Sequence, residues 1–309
     1  MRINKSSKDT SALTRKMPAL HPDWLVPSNQ YGWSALLRNL LPFVLLLWLI
    51  PQAMDASPFA PWLLAPFLGL FIYRISVVMH DCVHHTLFKG RNLNNRIGQA
   101  LGAATGIDFQ SFSTQHWLHH RIYGKAGDPQ GFHYAGLEAM TPARLRWHLF
   151  KPLLGCNLPH AFHESILSPR NLLRSIRTGE VLVVAAVQVA IVFTITGGGR
   201  YPFLALVPFA SAATFGLFFS QLRGIAEHGA VGTTAEEGNV RSHASNWLDR
   251  ILLHDVNFNF HREHHTYPQY PSCHLPAIQR EFAARNIEPA GSMFGTLRSI
   301  YVASRSRVG

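Results

Sequence analysis

Four stretches of the chain stay apolar long enough to enter a bilayer: Trp33–Met54, Pro58–Met79, Val181–Gly197 and Tyr201–Leu222. A helical span takes about 20 mostly apolar residues, with roughly 17 to 25 tolerated. Only "DASPF" joins the first pair and "GGGRYP" the second. Joints so short leave room for little but antiparallel neighbours, so the pattern predicts two helical hairpins. Arg38 falls inside the first stretch and is expected to snorkel, and Arg74 sits near one end of the second. Core helices of a soluble protein are the competing reading, which hairpins this apolar disfavour. Between the hairpins, "NRIGQALGAATG" puts Gly98, Gly102 and Gly106 at four-residue spacing, a stripe that permits close backbone approach. Thr141–Leu154 opens with an N-cap threonine and Pro142 at the first helical position, and its basic-apolar mix suggests a helix in the headgroup region.

Composition agrees with a membrane protein. Of 309 residues, 47% are apolar and 15% charged, against roughly 25% charged in soluble domains. The net charge is +11. No basic-aromatic nucleic-acid motif accompanies it, so attraction to an anionic membrane surface explains it better than nucleic acid. The positive-inside rule orients the spans. Arg2, Lys5, Lys8, Arg15 and Lys16 crowd the N-terminus, whereas the first joint has no Lys or Arg and the second only Arg200. Both termini and the long middle segment are therefore expected in the cytosol. No apolar signal-peptide core precedes the first span. Cys82, Cys156 and Cys273 are too few and too scattered for a disulfide framework or a cysteine metal site. The expected organisation is a basic arm over 1–32, a membrane unit over 33–276 and a cytosolic tail over 277–309.

The chemistry lies in the histidines. Nine of 18 fall in three windows, 80–85, 116–120 and 261–265. By the charge-based orientation, each window and the isolated His228 land on one side of the membrane. Neutral imidazole is the commonest metal ligand. Helical residues at i, i+3 and i+4 share a face, the spacing of His116, His119 and His120 and of His261, His264 and His265. His80 and His84 lie one turn apart. Eight or nine imidazoles suit two ions better than one. Spacing alone does not choose among iron, zinc, copper and nickel. For isolated histidines such as His21, His133, His148, His160, His163, His243 and His274, a surface or capping role is the expectation. His85 and His254 stay open. Asp81, Glu227, Glu263 and Asn257 adjoin presumed ligands and are expected to orient imidazoles through their outer N–H. Salt bridges to Arg223 or Arg262 are the plainer reading of the two glutamates.

"HDCVH" at 80–84, "HWLHH" at 116–120 and "HREHH" at 261–265 resemble the three histidine boxes of the integral-membrane fatty acid desaturase family, and "AEHG" at 226–229 its extra histidine. The resemblance covers about Trp33 to Pro276. It implies four spans under a cytosolic helical cap that holds a non-haem di-iron centre. The ligands it implies are His80, His84, His116, His119, His120, His228, His261, His264 and His265. It also implies O2 as co-substrate and desaturation of a fatty acyl chain, lipid-linked or carrier-linked. Hydroxylases and ketolases of the same superfamily, acting on small metabolites or carotenoids, are the alternative. No electron-carrier domain is visible, so electrons are expected from an external donor such as ferredoxin, rubredoxin or cytochrome b5 with its reductase. The compact chain fits a bacterial inner-membrane enzyme. A histidine-rich metal transporter would need polar ligands near mid-bilayer, and the spans' centres hold almost none.

Overall fold

The structure, a computed structural model, describes residues 20–229 and 240–305. The arm residues Arg2 to Lys16, which carry the expected orientation, lie outside the described residues. Among the described residues the protein is all-helical, with two isolated β-bridges and no strand. The main helices are α1 (Asn29–Ala53), α2 (Ala60–Val83), α3 (Arg91–Thr105) and α4 (Phe109–Ile122). They continue with α5 (Pro142–Phe150), α6 (Pro169–Thr178), α7 (Glu180–Ile195) and α8 (Pro202–His228), whose middle is one π turn at Ala212–Gly216. The C-terminal part adds α9 (Trp247–Leu252), α10 (His261–Thr266), α11 (Leu275–Ala283) and α12 (Met293–Arg305). α11 runs across the expected 276/277 boundary, and α12 packs on α8 and α5.

Among the described residues, three helices are long and apolar enough to cross a membrane: Pro22–Ala53, α2 and α8. The third expected span is shorter than the pattern suggested. α7 has 16 residues, roughly 24 Å at 1.5 Å per residue, against a hydrocarbon core of about 30 Å. It meets α6 at 109°. The bend turns at Gly179, whose φ of +76° only glycine adopts without strain. The pair counts as a fourth span only if taken together.

α2 is the hub and packs on α1, α3 and α8. Its most apolar stretch is 61% buried, against 33% and 28% for the other two spans. Large apolar side chains face outward from α1 and α7, among them Leu41, Trp48, Leu182, Val189 and Phe193. Such a surface is costly in water and suits lipid. On α3, a Cβ at Gly98 would stand 2.3 Å from the Phe109 ring, so this glycine lets α4 fold back over α3. Gly106 lies off the expected stripe, as the left-handed C-cap of α3. Thr141 caps α5 as expected, accepting from Arg144 N at 3.4 Å.

The two arginines of the first hairpin do more than snorkel. Arg38 and Arg74 reach Asp255 at 3.3 and 3.2 Å, and Asn39 also binds it. Arg74 Nε donates to Asn39 at 2.9 Å. Arg74 is buried and Arg38 45% exposed; pairing the buried guanidinium with a carboxylate and an amide offsets its desolvation. The cluster anchors residues 250–255 to the spans. Directly after it, Val256 and Asn257 adopt φ of +49° and +58°. A β-branched residue there costs about 1–3 kcal/mol. This strained turn, held by Asp255, sets the direction in which α10 leaves.

Candidate metal centre

Each histidine window sits where an element ends or bends inward. The last turn of α2 supplies His80, and His84 is its C-cap. α4 starts at an Asp108 cap, which accepts from Ser111 N at 2.7 Å, and carries His116, His119 and His120 in its second half. His228 is the last residue of α8. α10 is a single short helix holding His261, His264 and His265.

Folding sorts these nine side chains into two groups, each able to hold a metal ion. One is His80, His84, His116, His120 and His264; the other is His119, His228, His261 and His265. Within each group one ring nitrogen per residue lies within 4.8 Å of all the others. α4 and α10 thus feed both groups, whereas α2 gives only to the first and α8 only to the second. Helix residues advance about 100° each, so His119 and His120 point to different groups, as do His264 and His265. α4 gives two imidazoles to the first group and one to the second, and α10 the reverse. The groups adjoin: the His120 and His265 rings stack at 4.2 Å.

The donor set fits metal binding. Nε2 atoms face one another at 2.8 Å for His84–His116 and His120–His116, and at 2.9 Å for His261–His228. His80 Nε2, His119 Nε2 and both ring nitrogens of His265 are buried without a hydrogen-bond partner. Buried polar atoms without partners are costly, and convergent lone pairs are what a cation would satisfy. Burial, reinforced by neighbouring imidazoles, holds His116, His261, His264 and His265 well below the usual histidine range. The same causes push His120 down to about 2. All five are neutral at pH 7, the ligating form.

The surroundings are partly as expected. Asp81 faces His80 Nδ1 at 3.4 Å and accepts from Ser272 Oγ. Glu227 takes the salt-bridge reading, and it meets His261 at the nitrogen that faces His228, not at the outer Nδ1. Arg223 Nε donates to its oxygens at 2.9 and 2.8 Å, and Oε2 lies 3.4 Å from His261 Nε2. His254 Nε2 stands 3.8 Å from the same carboxylate and belongs to neither group. Glu263 orients no imidazole: it accepts from Ser242 and Arg262, because two residues beyond His261 a short helix points the other way. Asn257 donates to Ser272 O at 3.1 Å instead. His85, turned off the helix at φ +57°, pairs with Asn95 at 2.9 Å, outside both groups.

Sequence reasoning missed Asp128. Its Oδ1 lies 2.9 Å from His119 Nδ1, and both side chains are 1% exposed. Gly124 N, Gln130 N and the Tyr134 hydroxyl also donate to it. A carboxylate here puts the His119 proton on Nδ1 and leaves Nε2 free for the group. The Asp-Pro pair in "KAGDPQG" signals a turn, but nothing local says which side chain the turn will meet. Apolar rings close the site. Fully buried Phe258 stands edge-on to His80 at 4.4 Å, and Trp117 to His84 at 4.7 Å.

Residues 57–295 match the fatty acid desaturase family. The chain belongs to that family. It is an oxidoreductase of the membrane-embedded desaturase type, a family that takes lipid or acyl substrates and works with redox partners. It is 26% identical to the sphingolipid delta(4)-desaturase/C4-monooxygenase DES2 of Rattus norvegicus over 82% of this chain and 74% of that one. It is 28% identical to a fatty acid desaturase of Bacillus subtilis over 30% of this chain and 27% of that one. A beta-carotene ketolase of Haematococcus lacustris is 24% identical over 72% of this chain and 62% of that one.

Proposed function

We propose that this protein is an O2-dependent di-iron desaturase that introduces a double bond into a fatty acyl chain. The observation that carries the reading is the convergence of nine imidazoles, seven buried and two half-buried, in two adjoining groups where α2 and α8 end. His80, His84, His116, His120 and His264 would hold one iron, and His119, His228, His261 and His265 the other. Bound and reduced, the pair would supply the O2 activation needed to break an unactivated C–H bond. The chain's own groups do the rest. Asp128 and Asp81 fix imidazole tautomers, Glu227 places negative charge beside the group of four, and Phe258 and Trp117 limit water. Removing two hydrogens from the acyl chain and reducing O2 to two waters takes two external electrons and two protons. An acidic ferredoxin, rubredoxin or cytochrome b5 is the donor that a net charge of +11 would steer.

The same reading sets four spans, α6 with α7 counted as one, in a bacterial inner membrane, with the helical cap and the site on the cytosolic side. Oxygen insertion on the same scaffold is the second reading, favoured by relatives named as a monooxygenase and a ketolase. Product analysis in cells expressing the gene separates them, as a new double bond or an added oxygen. Metal analysis of the purified protein tests the centre itself. The expected result is about two irons per chain; stoichiometric zinc with no O2 uptake on reduction overturns the proposal.

A further inference from the structure

One cavity of the protein lies away from the histidines. It is a groove of about 490 Å³ between the first turns of α4 and one face of α6, lined by Ser111, Thr114, Gln115, Arg170, Arg174 and Arg177 among others. No carboxylate lines it. The three arginines are spaced i, i+4 and i+7, so a single helical face presents them. Arg174 is already fixed, by Asp108 and by Glu180 at 3.7 Å. Asn171 is fixed too, donating to His163 O at 2.8 Å and Ser165 O at 2.9 Å while its Oδ1 meets Ser111 Oγ at 2.7 Å. Arg170 and Arg177 make no ion pair with a described residue. The groove therefore has a rigid polar floor and two guanidinium groups left over.

Its position gives the groove a use. α6 meets α7 at 109°, so a helix crossing the bilayer as α7 leaves α6 lying along the surface. Leu172 and Ile176 are exposed on the face opposite the arginines, 41% and 54% respectively. That division suits the boundary between acyl tails and head groups. α4 then leads from the groove to the metal centre. Gln115 is one turn before His119, and Ser111 lies eight residues before it, roughly 12 Å along the axis.

We infer that this groove seats the phosphate-bearing head of the acyl substrate, with the tail running along α4 toward the histidines. Guanidinium forks match phosphate oxygens in pairs, and more than one free guanidinium calls for more than a single carboxylate charge. A carotenoid offers the groove nothing to bind. The inference deepens the acyl-chain reading above and rests on it for the tail alone.

The test is binding of dodecyl phosphate to the full-length protein in neutral maltoside detergent, by calorimetry. Saturable binding that weakens about tenfold or more in Arg170→Gln/Arg177→Gln supports the proposal. Equal binding by both proteins overturns it. Inorganic phosphate binding as tightly as dodecyl phosphate also overturns it, marking a free-phosphate site. Tighter binding of dodecanoate does the same for the phosphate assignment. If the double variant does not fold, Thr114→Trp at the exposed rim should block the groove, and unchanged binding there is equally fatal. No turnover is measured, so a protein found without iron sinks the oxidase reading and leaves this result standing.

Discussion

Two sets of buried histidines lie close together in this protein and are treated oppositely. In the candidate metal centre, ring nitrogens face one another, and several have no hydrogen-bond partner. In the second set, His133 and His148 pack against Gln221 of α8. His133 Nδ1 donates to Gln221 Oε1 at 2.8 Å, and His148 Nε2 to His133 O at 2.7 Å. Gln221 Nε2 donates to His133 O at 3.1 Å, and Asn157 Nδ2 to Gln221 Oε1 at 2.9 Å. Neither of these histidines has a buried ring nitrogen left over. Burial therefore does not mark a ligand. What separates the sets is whether the protein itself satisfies the imidazole. The second set tethers the segment between α4 and α6 to a membrane helix, and in doing so holds the loop that carries Asp128.

Changes at the first set should have the largest effects. His119→Ala leaves three imidazoles in the group of four. It is expected to abolish turnover and to lower iron from about two per chain toward one, by metal analysis, in a protein that still inserts. Full activity in this variant would remove α4 from the mechanism. Asp128→Asn keeps the shape but loses the charge behind His119. Metal affinity should drop roughly 10- to 100-fold in chelator competition. Asp81→Asn, at 3.4 Å from its imidazole rather than 2.9 Å, should cost less.

The second set should respond in stability and not in metal. Gln221→Leu strands His133 Nδ1 and Asn157 Nδ2 together. It should cost about 1–3 kcal/mol in detergent unfolding, with iron content unchanged. Iron loss matching that of His119→Ala would erase the distinction between the two sets. The smallest effect concerns pH. Burial, only partly offset by the hydrogen bond to Gln221, lowers His133 to about 4 from the usual 6.5. Above 6.5 the ring is neutral in folded and unfolded chains alike. As pH falls below that, the unfolded chain binds a proton that the folded one refuses, so stability is lost until about pH 4. The melting point of His133→Gln should fall less steeply than wild type over that window.

Much of the centre was legible beforehand. The windows at 80–85, 116–120 and 261–265 announced themselves by density, and helical spacing put their members on shared faces. The division of the second and third boxes between two groups was not legible. It depends on how α4 and α10 are rotated about their axes against α2 and α8. His133, His148 and His243 were read as surface or capping residues, yet all three are buried. Whether a lone histidine is enclosed depends on what other segments do. His21 does cap a turn, accepting from Asp23 N at 3.3 Å, a relation visible within three residues.

By itself the chain's order of residues determined what depends on near neighbours: apolar helices joined by short turns, caps at Thr141 and His21, and three imidazole-rich turns. The family also followed from those boxes in their order. Tertiary structure alone decided that Asp128 serves His119, that Asp255 gathers Arg38 and Arg74, that Glu263 and Asn257 turn away, and that α7 is short and bent against α6. Hydrophobic periodicity and helix spacing act over a turn or two. Which carboxylate meets which imidazole is settled by contacts between segments far apart in the chain, and no local pattern encodes them.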